Sequence, residues 1–260
     1  MNEKTNPSVL GRLCRATGRR HWCLAVVVTM LLASCGGDGD SSSADRDGPT
    51  TTVAPTSTIP PPAADKARAQ RIVLTAADVP GFTAKPPDPE EDADDTSDEA
   101  VAQCAKNNPL VLEGDDPRSA DSPDFSKGDD EETVSSSATF AETEEAARLF
   151  MADIGAPAFA GCFDDAFTKV AAADPEARGV TFKVSTTPLP APGVGDQSVA
   201  YRSVITGSQG RTRVTFNGDF TFIRTGRALA FFAVTKQGAP FRESERMRLA
   251  SVIARRMASA

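Results

Sequence analysis

Sulfur offers the most reactive chemistry among the side chains of this sequence. The chain has five cysteines, at positions 14, 23, 35, 104 and 162, and a single histidine, His21. A thiol can serve as a catalytic nucleophile, as a disulfide partner or as a site of covalent modification. The first use needs a neighbouring base, which is usually an imidazole. The fate of His21 therefore decides which of these uses remain.

His21 lies in a segment with the composition of an export signal. Residues 1–21 carry five basic side chains against one acid, Glu3, and residues 22–33 form an apolar run of 12. A helix that spans a bilayer needs about 20 apolar residues, so the shorter run is typical of a signal peptide. The adjacent Arg19 and Arg20 leave both the general secretory route and the twin-arginine route open.

The apolar run ends in the sequence LASC at residues 32–35. This sequence resembles the bacterial lipobox, in which the cysteine thiol becomes a thioether of diacylglycerol and the chain is cut just before it. The resemblance implies a signal peptide over residues 1–34 and lipidation of Cys35. Acyl chains there, such as palmitate, would hold the protein at the extracytoplasmic face of the cell membrane. An ordinary signal peptide with an incidental cysteine is the alternative.

Residues 36–64 are dominated by Gly, Ser, Thr and Pro. Such a composition cannot build a core, so we predict a disordered tether that reaches roughly 30 Å on average. The remaining residues, 65–260, have the length of one ordinary domain. The predicted organisation is therefore a signal peptide (1–34), a lipidated cysteine with its linker (35–64) and a single domain (65–260).

Cleavage before Cys35 removes the only histidine and the only tryptophan, Trp22. This excludes Ser-His-Asp and Cys-His catalysis and any zinc site built on histidine. No lysine follows a serine by three residues, so a Ser-x-x-Lys nucleophile is absent too. We therefore predict no catalytic residue, no cofactor and no metal ligand. A cell-envelope hydrolase with paired carboxylates is the alternative enzyme hypothesis.

The charge of the mature chain restricts its partners. Five basic residues and one acidic residue leave with the signal, so 23 basic and 35 acidic residues remain, a formal charge near −12. Such a surface repels phosphate backbones and anionic headgroups, which argues against nucleic-acid binding. The acidic run at residues 86–99 lacks EF-hand spacing and is predicted to be a solvated loop. A second acidic stretch, residues 115–132, is also predicted to be a surface loop.

Two cysteines remain after Cys35 is assigned to the lipid. They are Cys104 and Cys162, which lie 58 positions apart. In an oxidising compartment outside the cytoplasm, such a pair is most simply a disulfide. Two free thiols or an intermolecular bridge are the alternatives.

The spacing of apolar residues predicts the elements that carry these cysteines. Alternation predicts a strand at residues 134–140, after which Thr143 caps a helix that runs to about Ile154. Phe159, Cys162 and Phe163 begin an amphipathic stripe, which predicts a helix with Cys162 on its buried face. The apolar residues 72–74 fit a helix or a strand equally well.

The second half of the domain is predicted to be mainly strand. Strands are expected over residues 180–187 and 197–206, and one long bulged strand over 211–234 turns at Thr225 and Gly226. A final helix covers residues 241–257. The fold class is therefore α+β, with one antiparallel β-sheet packed with helices.

Four stretches together resemble one bacterial family. They are LTAADVPGF (74–82), Cys104 after the acidic loop, SSSATFAETEEAARLF (135–150) leading to Cys162, and PGVGDQSVAYR (192–202). The family is the extracellular sensor-like domain found on transmembrane Ser/Thr kinases and on free lipoproteins of the same bacteria. The likeness covers about residues 70–258. It implies a disulfide-bonded α/β sandwich with a ligand cleft, although this chain keeps one cysteine pair where relatives can have two.

These observations favour a non-enzymatic binding module attached to the membrane through Cys35. All fourteen phenylalanines lie in the predicted domain. We expect a small or apolar envelope ligand, or a protein partner, to bind in a Phe-lined cleft beside the sheet. A purely structural surface lipoprotein is the further alternative.

Overall fold

The structure is a computed structural model that describes residues 60–85, 100–105 except 102, 116–128, 132–173 and 179–260. The predicted signal peptide, Cys35, linker residues 36–59 and the acidic run 86–99 lie outside the described residues. No helix in the described part of the chain combines the length and the apolar composition that a membrane span requires.

The described residues include four α-helices with described bounds, a short 3-10 turn and eight strands, and the described residues 100, 101, 103 and 104 are also helical. The helices are α1 (Pro62–Ile72), α2 (Glu144–Ile154), α3 (Phe159–Ala173) and α4 (Glu243–Ser259), and the 3-10 turn is Ala76–Asp78. The strands are β1 (Thr83–Ala84), β2 (Ala120–Asp121), β3 (Phe125–Lys127), β4 (Glu132–Phe140), β5 (Thr181–Leu189), β6 (Gln197–Gln209), β7 (Thr212–Thr225) and β8 (Ala228–Gln237). Helix α1 begins three residues before the predicted start of the domain.

All strands join one antiparallel sheet, so the predicted α+β class is confirmed. The strand order is β1-β3-β4-β8-β7-β6-β5, and β2 pairs with the same edge of β4 as β3 does. Strands β6, β7 and β8 follow one another as hairpins. Their turns contain Gly210 and Gly226, both with positive φ, which glycine adopts without steric cost.

Strand β7 turns where the sequence predicts but has no bulge. Its pairing with β6 runs one residue to one residue from Gln209 opposite Thr212 to Gln197 opposite Arg224. The pairing with β8 is equally regular. The predicted bulge is therefore wrong. The apolar residues before and after Asn217 and Gly218 alternate in the same phase because the strand continues unbroken through these two residues.

Helices cover both faces of the sheet, which produces two cores. Helices α2 and α3 pack against one face, where Phe220, Phe222 and Leu229 belong to the core. Helices α1 and α4 pack against the other face, where Ile223 and Phe232 lie. This arrangement explains the continuous apolar run ALAFFAV in β8, since alternate residues of the strand enter opposite cores.

The predicted helices α2 and α3 are present with their expected inner faces. The Thr143 side chain accepts a hydrogen bond from the Ala146 N–H at 3.0 Å and so caps α2. On α3, Phe159, Phe163 and Phe167 are buried. Cys162 lies between them and is half-buried, so it sits at the margin of the core.

The predicted surface loop at residues 115–132 is wrong in its described part. Residues 116–128 contain β2 and β3, which pair with β4. The Phe125 side chain is 1 % exposed and belongs to the α1 and α4 core. One buried aromatic side chain therefore anchors this acidic stretch in the sheet despite its charge.

Candidate binding groove

The two cysteines of the domain form a disulfide in the structure, as predicted. Cys162 lies on α3, and Cys104 lies in the segment 100–105, whose Ala100 and Ala105 are buried in the α2 and α3 core. The bridge therefore ties that segment to α3 and acts as a staple. The predicted lipidation site, Cys35, lies outside the described residues.

A surface groove of about 520 Å³ opens where α1, α4 and the β7–β8 turn meet. We call it the arginine groove. It is lined by Arg68, Phe140, Glu144 and residues 225–228 and 257–260. Four separate parts of the chain thus contribute to it: α1, the end of β4 with the start of α2, the β7–β8 turn, and the end of α4.

The Phe140 ring forms the floor of the arginine groove, and two guanidinium groups lie over it. The ring centroid is 4.3 Å from Arg68 Cζ and 5.8 Å from Arg227 Cζ. Both distances allow cation–π attraction, which is stronger where water is excluded. Phe140 itself is only 2 % exposed, so the ring fixes the positions of the two arginines from below.

A fully buried carboxylate, Asp65, organises the arginines behind this floor. Arg227 Nη2 donates to both Asp65 oxygens at 3.0 Å, and Arg68 Nη1 donates to Oδ1 at 3.4 Å. Arg118 Nε is 3.9 Å from Oδ2. Three guanidinium groups therefore surround one carboxylate. Arg118 Nη2 also lies 3.8 Å from a carboxylate oxygen of Glu142, whose side chain is 72 % exposed.

The rim of the groove is held by a second set of polar contacts. Arg224 Nη1 lies 3.3 Å from a Glu144 carboxylate oxygen and 3.5 Å from an Asp196 carboxylate oxygen. Asp196 accepts a hydrogen bond from the Gly226 N–H at 2.7 Å. The β7–β8 turn is thereby tied to the loop that precedes β6.

That loop fits against β7 because residue 195 is glycine. A Cβ at Gly195 would lie 2.6 Å from the Arg224 carbonyl oxygen and 2.9 Å from Ile223 Cγ2, and φ there is +68°. We expect Gly195→Ala to lower the free energy of unfolding by about 3 kcal/mol, the combined cost of left-handed backbone strain and overpacking. Chemical denaturation followed by circular dichroism measures it.

Gly193 is a matched control for this substitution. It has a similar φ of +65°, but no atom lies within 4 Å of the place that a Cβ would occupy there. Gly193→Ala should therefore cost only the backbone term, about 1 kcal/mol. Equal losses for both variants would show that the loop moves away from β7 freely and that the close approach is not a constraint.

A second charged cluster is buried on the same face of the sheet, beneath α4. Asp219 is fully buried and accepts hydrogen bonds from Arg202 Nε at 2.6 Å and Nη2 at 2.7 Å. These bonds raise the pKa of Arg202. Arg246, from α4, is also fully buried, and desolvation by burial lowers its pKa. Its Nη2 donates to the Pro190 carbonyl oxygen at 3.2 Å.

The aromatic residues occupy positions that differ from the predicted cleft. Phe159, Phe163 and Phe222 pack against other rings of the α2 and α3 core. The only tyrosine, Tyr201, is buried there, and its hydroxyl donates to the Ile154 carbonyl oxygen at 2.7 Å. Burial raises the Tyr201 pKa. Phe140 is the aromatic residue that lines the arginine groove.

The two fully buried carboxylates on this side of the sheet are held by arginine side chains. Asp65 and Asp219, which are both fully buried, are each engaged by arginine side chains. Among the described residues, no three His, Cys, Asp or Glu side chains converge to hold a metal ion. Guanidinium groups over an aromatic floor suit the recognition of planar or anionic groups. No pattern in the sequence points to Arg68, Arg118 and Arg227, because only the tertiary fold brings them together.

Comparison with known proteins gives one structural likeness. No family model matches the chain, and no curated protein matches it. The structure is similar to the extracellular domain of PknH from Mycobacterium tuberculosis, with 10 % sequence identity and a TM-score of 0.43. The alignment covers 75 % of this chain and 97 % of that one. A likeness of this size shows neither family membership nor function.

Proposed function

We propose that this chain is a non-enzymatic binding module that lipid on Cys35 holds at the extracytoplasmic face of the cell membrane. The observation that carries the proposal is the arginine groove, with its volume of about 520 Å³. Small-molecule sites typically enclose about 300–1,000 Å³ and combine an apolar surface with a few convergent polar groups. Ala228, Met257 and Ala258 line it on the apolar side, and Arg68, Arg227 and Glu144 supply polar groups.

Two further observations support binding over catalysis. Asp65 and Asp219 are both fully buried and bonded to arginine side chains, so neither carboxylate faces a substrate in solution. The predicted mature chain also contains no histidine. The membrane attachment rests on the sequence LASC at residues 32–35 and on the preceding signal-like segment.

Native mass spectrometry of the mature protein, purified from its own envelope, tests the proposal. We expect wild-type protein to carry a non-covalent small molecule and Ala258→Trp to lack it. Ala258 is exposed and lines the groove, so a bulky side chain there fills the groove without entering the core. Ala172→Trp, at an exposed position on α3, is the control and should retain the molecule.

The anchor is tested in the same preparations. Cys35→Ala should move the protein from the membrane fraction to the soluble fraction and remove the added lipid mass from its N-terminal peptide. Wild-type protein that carries no small molecule, or Ala258→Trp that still carries one, would contradict binding in the groove. Retention of Cys35→Ala in the membrane fraction would contradict the lipid anchor.

A further inference from the structure

We propose that Asp164 closes the free edge of the β-sheet against strand addition by a second copy of this chain. An edge strand presents backbone N–H and C=O groups that can pair with another strand. Natural proteins block such edges with charged side chains, prolines or very short strands. The inference concerns contacts between copies of the domain, so it stands independently of any ligand in the arginine groove.

The end of the sheet beyond β4 offers little backbone to another chain. Strands β1, β2 and β3 there contain only two, two and three residues. Between β2 and β3, the Ser136 N–H donates to Ser122 Oγ at 2.9 Å, and the Ser122 N–H donates to the Ser136 carbonyl oxygen at 2.8 Å. Short pieces of chain therefore cover the outer side of β4, and strands this short pair poorly with another chain.

The opposite edge of the sheet is a long strand. In the described part of the chain, β5 is the last strand on this side, and it has nine residues. Its pairing with β6 runs one residue to one residue from Thr181 opposite Ser208 to Leu189 opposite Ala200. In such a regular antiparallel pair, successive residues direct their backbone groups alternately towards the partner strand and away from it. Every second residue of β5 therefore faces the free edge.

Thr186 identifies which residues of β5 face the edge. Its N–H donates to Asp164 Oδ2 at 3.1 Å, so this group points away from β6. By the alternation, Phe182, Val184 and Pro188 face the edge as well. Proline has no N–H. The second half of the edge therefore offers no donor to another strand, because Asp164 occupies the N–H of Thr186 and Pro188 lacks one.

The contact between Asp164 and Thr186 can be removed without disturbing other polar contacts. Asp164 lies on α3, which packs beside β5. Its second oxygen, Oδ1, is buried, and among the described residues it has no hydrogen-bond partner. Thr186 is held separately, since its hydroxyl lies 2.5 Å from that of Ser203 on β6. We therefore expect a variant without the Asp164 carboxylate to fold.

A second copy of β5 is the strand that fits this edge. An added strand must continue both faces of the sheet, because a shift of one residue turns its apolar side chains to the wrong face. In β5, Phe182 and Thr186 are buried and Val184 is half-buried, whereas Lys183 and Ser185 between them are exposed. Two β5 strands that pair antiparallel about a two-fold axis match this alternation and form a closed dimer.

Hydrogen exchange of the mature protein, followed at single amides, tests the contact itself. Asp164→Ala should raise the exchange rate of the Thr186 amide about tenfold, because the amide loses its hydrogen bond to a charged acceptor. Asp164→Asn keeps an acceptor oxygen at the same place and should leave the rate near that of wild type. Circular dichroism checks that both variants fold.

Light scattering coupled to size-exclusion chromatography tests strand addition. Asp164→Ala combined with Pro188→Thr opens the whole edge, and threonine adds an N–H without a large apolar surface. The matched control combines Pro188→Thr with Asp165→Ala, which removes an exposed acid from the same helix and keeps Asp164. Both double variants also carry Cys35→Ala, so that lipid does not bring copies together. We expect a dimer at high concentration for the first and a monomer for the control.

The location of the new contact is part of the expected result. In the dimer, the amides of Phe182 and Val184 should exchange more slowly than in the control, because the added strand pairs with them. Equal masses of the two double variants at high concentration would overturn the proposal, and so would a dimer in which these two amides are not protected. An unchanged Thr186 exchange rate in Asp164→Ala would refute the role of Asp164.

Discussion

Asp219→Asn should lower the free energy of unfolding by about 4 kcal/mol, the cost of breaking a buried ion pair by removing one partner. Asp219 is fully buried and holds Arg202 through two hydrogen bonds of 2.6 and 2.7 Å. Its charge also acts on Arg246, which is fully buried nearby. The neutral amide would leave Arg202 and the buried Arg246 with only Glu243 as a nearby anion, whose side chain is 64 % exposed.

Urea denaturation of the purified domain measures this loss. In a protein of this size, a loss of about 4 kcal/mol lowers Tm by roughly 10 °C. The near-isosteric amide changes charge and hardly changes volume, so packing does not account for the effect. A loss smaller than about 1 kcal/mol, the range of exposed ion pairs, would show that water reaches the cluster.

Arg246→Met, in the same cluster, is a control that should not lower the free energy of unfolding. Burial lowers the Arg246 pKa, so folding disfavours its charged form. Among the described residues, its Nε and Nη1 atoms have no hydrogen-bond partner. Methionine of similar length removes this cost, so stability should stay unchanged or rise. A large loss would instead identify Arg246 as the essential partner of Asp219.

Removal of the disulfide is the second change with a large expected effect. Cys104 and Cys162 close a loop with a sequence separation of 58. The chain-entropy model assigns about 4 kcal/mol to a loop of this length. Cys104→Ala combined with Cys162→Ala should therefore lower the free energy of unfolding by up to this amount, and thermal unfolding followed by circular dichroism measures it.

Reductant gives the internal control for this double variant. Wild-type protein in dithiothreitol should unfold at the same temperature as the double variant, and the double variant should not respond to dithiothreitol. A Tm of wild type that reductant leaves unchanged, together with two free thiols in the native protein, would contradict the bridge.

The sequence predicts the fold well because the relevant information is local. Alternation along β4 and the three-to-four-residue spacing in α3 show which side of each element is apolar, and Thr143 marks the start of α2. The bulge in β7 failed as a prediction because Asn217 and Gly218 have strong turn preferences. Pairing on both sides with β6 and β8 overrides those preferences.

The arginine groove could not be predicted, because its parts come from distant positions in the chain. One local signal does exist. Asp65 lies four residues before Ala69 and seven before Ile72, so it occupies the buried side of α1. Arg246 bears the same relation to Ala250 and Ile253 on α4. A charged residue on the apolar side of a helix needs a buried partner. The pattern therefore predicts that Asp65 and Arg246 each have such a partner, but it does not predict which residue the partner is.

The contact between Asp65 and Arg227 also fixes where the chain enters the domain. Asp65 lies in the first turn of α1, so the chain enters the domain beside the β7–β8 turn and the groove. The β6–β7 turn at Gly210 lies at the other end of β7, a strand of 14 residues that spans about 45 Å. If lipid on Cys35 anchors the chain as proposed, the tether joins the domain at the end of the sheet that carries the groove, and the β6–β7 turn is the part farthest along β7 from that junction.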